Sequence, residues 1–161
     1  MGKMNVAQDI HIVPIYATTD ASASVDFPHI NMKLYEKVEF LLYIGNITGD
    51  TMTITATQSA VTAGTTETAI AARYRLTAAA GTDTMGATTA LETTGLALVN
   101  GTHDLLTMIV DIDSSDMTYA VSSKPYVGLK ATMSSSGQAV FTVFALCWPK
   151  YPKETNASAL T

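Results

Sequence analysis

The chain has 161 residues, of which 47% are hydrophobic and only 14% are charged. A chain of this length buries roughly 70% of its unfolded surface, so one domain with a substantial core is expected, and the hydrophobic content excludes intrinsic disorder. The net charge of −5, with 9 lysines and arginines, argues against the basic surface that nucleic-acid binding needs. Threonine (25 residues) and alanine (22 residues) dominate the composition, and because threonine favours strands over helices, a coiled coil is also excluded.

The first half of the chain predicts strands separated by polar turns. The clearest pattern is the alternation of Met52, Ile54 and Ala56 with threonines, which is typical of a strand with one buried face. The dipeptide Gly49-Asp50, just before this strand, favours a β-hairpin. The predicted strands are Gln8–Ala17, Val25–Lys33 with Pro28 interrupting it, Glu36–Ile47 and Thr51–Gln58.

The second half is less regular until residue 105. Residues 69–80 fit a strand better than a helix, because Arg73 and Arg75 flank Tyr74 in an alternating pattern. The segment 78–101, whose fold the sequence leaves open, contains possible strands near Thr88–Thr93 and Leu96–Val99. Stronger strands are predicted at Leu105–Ile112, Pro125–Met133 and Gln138–Trp148.

About seven to nine short strands with regularly spaced turns favour an all-β fold, a single-domain antiparallel β-sandwich of jelly-roll-like or Ig-like type. We expect residues 8–148 to form this domain, between a flexible N-terminal arm (1–7) and an extended C-terminal tail (149–161). The alternating patterns predict a core that includes Val38, Phe40, Leu42, Ile44, Ile54, Ile109, Val127, Leu129, Val140, Phe144 and Leu146.

The densest carboxylate cluster is formed by Asp111, Asp113 and Asp116. Oxygen ligands at alternate positions are a weak candidate for a Ca²⁺ site, but the spacing matches no EF-hand loop. The alternative is a strand end closed by a turn. The three histidines are dispersed and Cys147 is the only cysteine, so we expect no metal and no cofactor.

Motifs of common enzymes are missing from the sequence. There is no Gly-x-Ser-x-Gly elbow, and no Gly-x-x-x-x-Gly-Lys or Gly-x-Gly-x-x-Gly follows a predicted strand. Cys147 lies in an apolar run, which favours a buried hydrophobic role over a reactive thiol. Neither a signal-peptide pattern nor an apolar stretch of membrane-spanning length is present, so we expect no enzyme activity, no membrane partner and assembly in a cytoplasm.

Five residues are candidates for an interface with another protein chain. A strand through Arg73 and Arg75 presents both guanidinium groups on one face, where they would meet carboxylates of another subunit. The alternative is a pair of solvated side chains. Tyr74 lies between them, and Trp148 and Tyr151 border the predicted tail.

The order of elements in the C-terminal half carries a family resemblance. A hydrophobic strand closes in Asp-Ile-Asp-Ser-Ser-Asp at residues 111–116, Lys-Pro-Tyr-Val-Gly-Leu-Lys-Ala-Thr follows at 124–132, and the last apolar strand ends in Cys-Trp-Pro-Lys-Tyr-Pro at 147–152. Earlier segments that fit the same order are Ile10–Ile15, Val38–Ile44 and Thr51–Ser59. Over roughly two thirds of the chain this order resembles the small capsid decoration (cement) proteins of tailed bacteriophages, although residues 78–101 depart from it.

The resemblance implies a virion structural protein, assembled in the host cytoplasm, that binds the outer surface of the major capsid protein lattice and stabilises the head. It further implies a homotrimer and no catalytic residues. Two alternatives stay open: a tail or head-fibre component, and a carbohydrate- or surface-binding β-sandwich module.

Overall fold

The computed structural model describes residues 9–17, 20–64, 66–117, 124–134, 137–151 and 159–160. None of these residues belongs to a helix long and apolar enough to cross a membrane. The described residues contain twelve strands. These are β1 (His11–Ala17), β2 (Val25–Asp26), β3 (Ile30–Asn31), β4 (Tyr35–Thr48), β5 (Thr51–Ser59), β6 (Thr68–Ala69), β7 (Ala72–Leu76), β8 (Thr89–Leu91), β9 (Leu96–Val99), β10 (Thr107–Asp113), β11 (Tyr126–Met133) and β12 (Gln138–Pro149).

The strands form two antiparallel sheets that pack against each other, which confirms the predicted all-β sandwich. Sheet A has the strand order β1-β12-β4-β10-β7-β8. Sheet B has the order β2-β11-β5-β6, with β3 also paired to β11 and β9 to β5. The two longest strands, β4 and β12, pair with each other inside sheet A. Each has a second neighbour as well, so both lie in the interior of the sheet and not at its edge.

Most of the predicted arm and tail lies outside the described residues. The arm, residues 1–7, is not described, and of the tail only 149–151 and 159–160 are. Ala159 is buried, and its carbonyl accepts a hydrogen bond of 3.1 Å from the backbone N–H of Asn31. This part of the tail therefore contacts the domain of its own chain.

The core lies between the two sheets. In β4, β5 and β11, the alternating apolar side chains that the sequence predicts to be buried point into this core. Seven of the predicted core residues are fully buried: Val38, Phe40, Leu42, Ile44, Ile54, Val127 and Leu129. Phe27 and Phe141 join Tyr16 in an aromatic cluster with ring centroids 5.4–5.7 Å apart.

The predicted faces of β12 and β10 are wrong. Val140 and Phe144 are 37% and 38% exposed, and Leu146 and Ile109 are partly exposed. The sequence is apolar on both faces of β12, so hydrophobicity alone does not determine which face is buried. The buried residues of these two strands are Ala139, Phe141, Val143, Ala145 and Cys147 on β12, and Met108, Val110 and Ile112 on β10.

The turn at Gly49-Asp50 does not form the hairpin that its sequence favours. It joins β4 of sheet A to β5 of sheet B, and these two strands do not pair. Gly49 has a φ of 83°, which glycine adopts without strain. The chain therefore crosses between the sheets at this turn. Ser134, which follows β11, lies beside the crossing and exchanges backbone and side-chain hydrogen bonds with Thr51.

The segment 78–101 contributes to both sheets. Its first strand, β8, pairs with β7 at the edge of sheet A, and its second strand, β9, pairs with β5 in sheet B. The bounds of β9 are those that the sequence predicts. The described residues hold more strands than the seven to nine expected, partly because the predicted strand Val25–Lys33 is two separate strands, β2 and β3, and partly because β6 has only two residues.

Candidate interaction face

The register of sheet A places a row of apolar side chains across its outer face, the face turned away from sheet B. Phe144 on β12 and Ile109 on β10 both pair with Leu41 on β4. Pro14 of β1 extends this row at one end, and Arg75 of β7 extends it at the other. Successive residues of a strand point to opposite faces of the sheet. Phe40, Val110 and Val143, each next to a residue of the row, are buried on the inner side. The row therefore faces away from the core.

Further apolar side chains enlarge this row. Ile12 and Tyr43 are both 50% exposed, and Val140 lies over Gly45, where a Cβ would come within 3.2 Å of the Val140 Cβ. With strands about 4.8 Å and residues about 3.4 Å apart, the group spans roughly 15 Å by 20 Å. A surface of about 300 Å² is in the range of the largest, often functional, apolar patches on soluble proteins. We call it the apolar patch: Ile12, Pro14, Leu41, Tyr43, Ile109, Val140, Phe144 and Leu146.

A network of charged side chains borders the apolar patch on the same face. Lys37 Nζ lies 2.7 Å from Glu39 Oε1 and 3.5 Å from Asp111 Oδ1. Arg73 Nε lies 3.7 Å from Asp111 Oδ2, and Arg73 Nη2 lies 3.2 Å from Asp116 Oδ2. These five residues, which we call the charge ladder, connect β4, β10 and β7. Each charge in the ladder has a partner of opposite sign.

Two pKa shifts follow from this arrangement. Burial disfavours the charged form of Lys37, but hydrogen bonding and attraction from Glu39 and Asp111 outweigh it and raise the pKa of Lys37. The backbone N–H of Ser115 donates to Asp113 and lowers the pKa of that carboxyl, with further help from the Ser115 hydroxyl and from Arg73. Both groups are therefore held in their charged forms near neutral pH.

The predicted calcium ligands are engaged in a turn and in the charge ladder. Asp116 Oδ2 accepts the backbone N–H of Asp113 at 2.9 Å as well as the Arg73 contact. Asp111 lies between Lys37 and Arg73. The described residues contain no group of three or more His, Cys, Asp or Glu side chains placed to hold a metal ion. The arrangement is that of a strand end closed by a turn.

The predicted interface residues fall at different places. Arg73 belongs to the charge ladder and Arg75 lies beside Ile109, whereas Tyr74 is partly buried against the core. Trp148 is partly buried at the end of the outer face, where Lys37 Nζ lies 5.2 Å from its ring centroid. Tyr151 is 76% exposed beyond the end of β12. The structure thus brings Arg73, Arg75 and Trp148 to one face and separates them from Tyr74.

The apolar patch itself was not predicted from the sequence, although two patterns point to it. The run Phe40-Leu41-Leu42-Tyr43-Ile44 is apolar on both faces, which is typical of a strand covered on both sides. On β10, Ile109, Asp111 and Asp113 lie two residues apart and therefore share one face of the strand. Because carboxylates favour the solvent-facing side, Ile109 is expected on that side as well.

The remaining candidate for reactivity, Cys147, is fully buried, and burial raises the pKa of its thiol to about 12. A thiol in this state is a core hydrophobe, as its sequence context predicts. Comparisons of the chain with family models, with curated proteins and with solved structures give no match. The features that bear on function are therefore the outer face of sheet A and, in the sequence, the resemblance in strand order.

Proposed function

We propose that the chain is a structural protein of a tailed-bacteriophage virion, a decoration (cement) protein that binds the major capsid protein on the outer surface of the head. The observation that carries this proposal is the apolar patch with the charge ladder along its border. Protein interfaces have this composition, an apolar centre with a polar rim, and they bury about 800 Å² on each partner. The patch and the ladder together fit within one interface of that size.

The chemistry of the face favours a protein partner that is apolar and nearly neutral. The two cations of the ladder already contact its three carboxylates, so a partner gains little by offering one strong charge. The flat sheet surface suits a lattice, where many weak contacts act together. The resemblance in strand order implies that the partner is the capsid and that the chain assembles as a homotrimer.

One observation favours the alternative of a carbohydrate-binding module. Tyr43 and Phe144 are exposed aromatic side chains, and they are diagonal neighbours because Tyr43 pairs with Thr142. Most of the apolar patch is aliphatic, however, and the side chains of the charge ladder bond to one another rather than pointing free donors at a ligand. Both features favour a protein partner over a sugar.

The test compares two valines of similar exposure on different faces. Val140 (37% exposed) lies in the apolar patch, and Val99 (42% exposed) lies on β9 of sheet B. Purified Val140→Asp and Val99→Asp proteins are mixed with capsids that lack this chain, and bound protein is measured after sedimentation. We expect Val140→Asp to bind at least about tenfold more weakly, because a carboxylate buried in an apolar contact costs well over 1 kcal/mol.

The control variant, Val99→Asp, should bind within about twofold of the unchanged chain. Thermal melts check that both variants are folded. Undiminished binding by a folded Val140→Asp protein would remove the outer face of sheet A as the docking surface. Absence of capsid binding by the unchanged chain, with binding to saccharides instead, would replace the proposed function by the alternative.

A further inference from the structure

A histidine packs between two glycines on the outer side of sheet B, whereas the apolar patch lies on the outer face of sheet A. His29 lies between β2 and β3 and is 0% exposed. A Cβ on Gly128 of β11 would lie 2.7 Å from its Cγ, and a Cβ on Gly64 would lie 2.8 Å from its Cε1. The ring therefore fills a slot that exists because neither neighbour has a side chain.

The hydrogen bonds of His29 define its neutral tautomer. Its Nδ1 lies 2.8 Å from the carbonyl oxygen of Phe27, which only accepts, so Nδ1 carries the hydrogen. Its Nε2 then accepts from the hydroxyl of Thr57 at 2.9 Å. Protonation would make Nε2 a donor and would turn the Thr57 hydroxyl towards the carbonyl of Gly128, 3.4 Å away. Both forms of the ring can therefore keep their hydrogen bonds, and what disfavours the charged form is its burial between Gly64 and Gly128.

The same histidine holds a loop. The backbone N–H of His29 donates to the carbonyl of Thr62 at 2.8 Å, and Gly64 of that loop lies against the ring. Gly64 has a φ of +72°, so it bends the chain over the imidazole in a conformation that other residues avoid. His29 therefore ties residues 60–64 to sheet B through one backbone hydrogen bond and the contact of its ring with Gly64, in addition to the hydrogen bond from Val61 N–H to the Ser59 hydroxyl at the end of β5.

Three charged groups face the imidazole from the surrounding elements: Asp26 of β2, Glu67 ahead of β6 and Lys130 of β11. Lys130 Nζ lies 2.8 Å from Asp26 Oδ1 and also contacts Glu67 Oε1, so it neutralises part of their charge. The loop 60–64 carries no charged side chain, and β5 contributes the neutral Thr57. Burial lowers the pKa of His29 and outweighs the hydrogen bond to Phe27 and the attraction of Glu67 and Asp26.

We propose that His29 is a pH-sensitive latch, whose neutral ring holds the loop 60–64 on sheet B and whose protonation releases this loop while the two sheets stay packed. A histidine with a lowered pKa in the closed state stabilises that state fully above its ordinary value of 6.5. The stabilisation declines as the pH falls below 6.5, because the open state then binds a proton that the closed state excludes. Release uncovers the part of sheet B around Thr57 and Gly128.

Two measurements on the full chain test the latch. An NMR titration should give His29 a pKa below 6.5. Hydrogen exchange, corrected for the intrinsic pH dependence, should accelerate at the His29 amide as the pH falls below about 6, approaching tenfold per pH unit, while β4 amides change little. An unlowered pKa of His29 would overturn the proposal, and so would acceleration at the His29 and β4 amides in parallel, since that is global unfolding.

Matched variants identify the responsible group. The double variant His11→Gln/His103→Gln leaves His29 as the only histidine and should keep the pH dependence of the loop. The variant His29→Gln should lose it. If a folded His29→Gln protein keeps the pH dependence of hydrogen exchange, the proposal is overturned. If His29→Gln does not fold, loss of this pH dependence in the double variant would overturn the proposal instead.

Discussion

Two phenylalanines three residues apart on β12 have opposite environments. Phe141 is 1% exposed, within 5.5–5.7 Å of the rings of Tyr16 and Phe27. Phe144 is 38% exposed and lies beside Leu41 on the outer face of sheet A. The first ring belongs to the core and the second to the apolar patch.

This difference predicts unequal effects of the same substitution on folding. Phe141→Ala should lower the free energy of unfolding by about 3–5 kcal/mol, because it removes a fully buried ring and leaves a cavity. Phe144→Ala should lower it by less than about 2 kcal/mol, because solvent already reaches that ring. Urea denaturation of both variants measures the two values. Equal losses would show that the face of β12 is assigned wrongly.

Among the elements, strands with strict alternation are predictable from sequence. β5 alternates threonine with Met52, Ile54 and Ala56, so one face alone can enter the core, and the structure buries that face. β9 carries a short apolar run between a glycine turn and a polar turn, which fixes its ends at Leu96 and Val99. Local chemistry decides both cases.

Features that depend on distant parts of the chain are not predictable in this way. β12 is apolar on both faces, and its buried face is set by pairing with β1 and β4. Gly49-Asp50 has the composition of a hairpin turn, but β4 pairs with β10 and β12 and leaves β5 to the other sheet. The slot for His29 depends on Gly64 and Gly128, which lie far from it in sequence. The candidate site follows from this long-range register.

For the whole molecule, the open edges of the sheets are poor surfaces for assembly. Sheet A ends at β1, which has Pro14 and a register shift next to it, and at the three-residue β8. Sheet B ends in β2 and β3 on one side and in β6 and β9 on the other, and none of these strands is longer than four residues. Short or interrupted edges disfavour strand addition, so association through sheet faces is expected.

The proposed homotrimer is tested by light scattering on the free chain. We expect a mass about three times the 17.0 kDa of one chain. The Val140→Asp variant should keep that mass, because we propose that the outer face of sheet A binds the capsid and not another subunit of the trimer. A mass of 17.0 kDa at high concentration would contradict the trimer, and dissociation of the variant would move the patch to the subunit contact.

The proposal that this sandwich decorates the head of a virion is tested most directly by quantitative mass spectrometry of virions purified from cells that produce the chain. We predict a copy number comparable to that of the major capsid protein, because a protein that binds the capsid lattice repeats with the lattice. A copy number far below that of the major capsid protein would place the chain in a tail or fibre, and absence from the particles would contradict the claim.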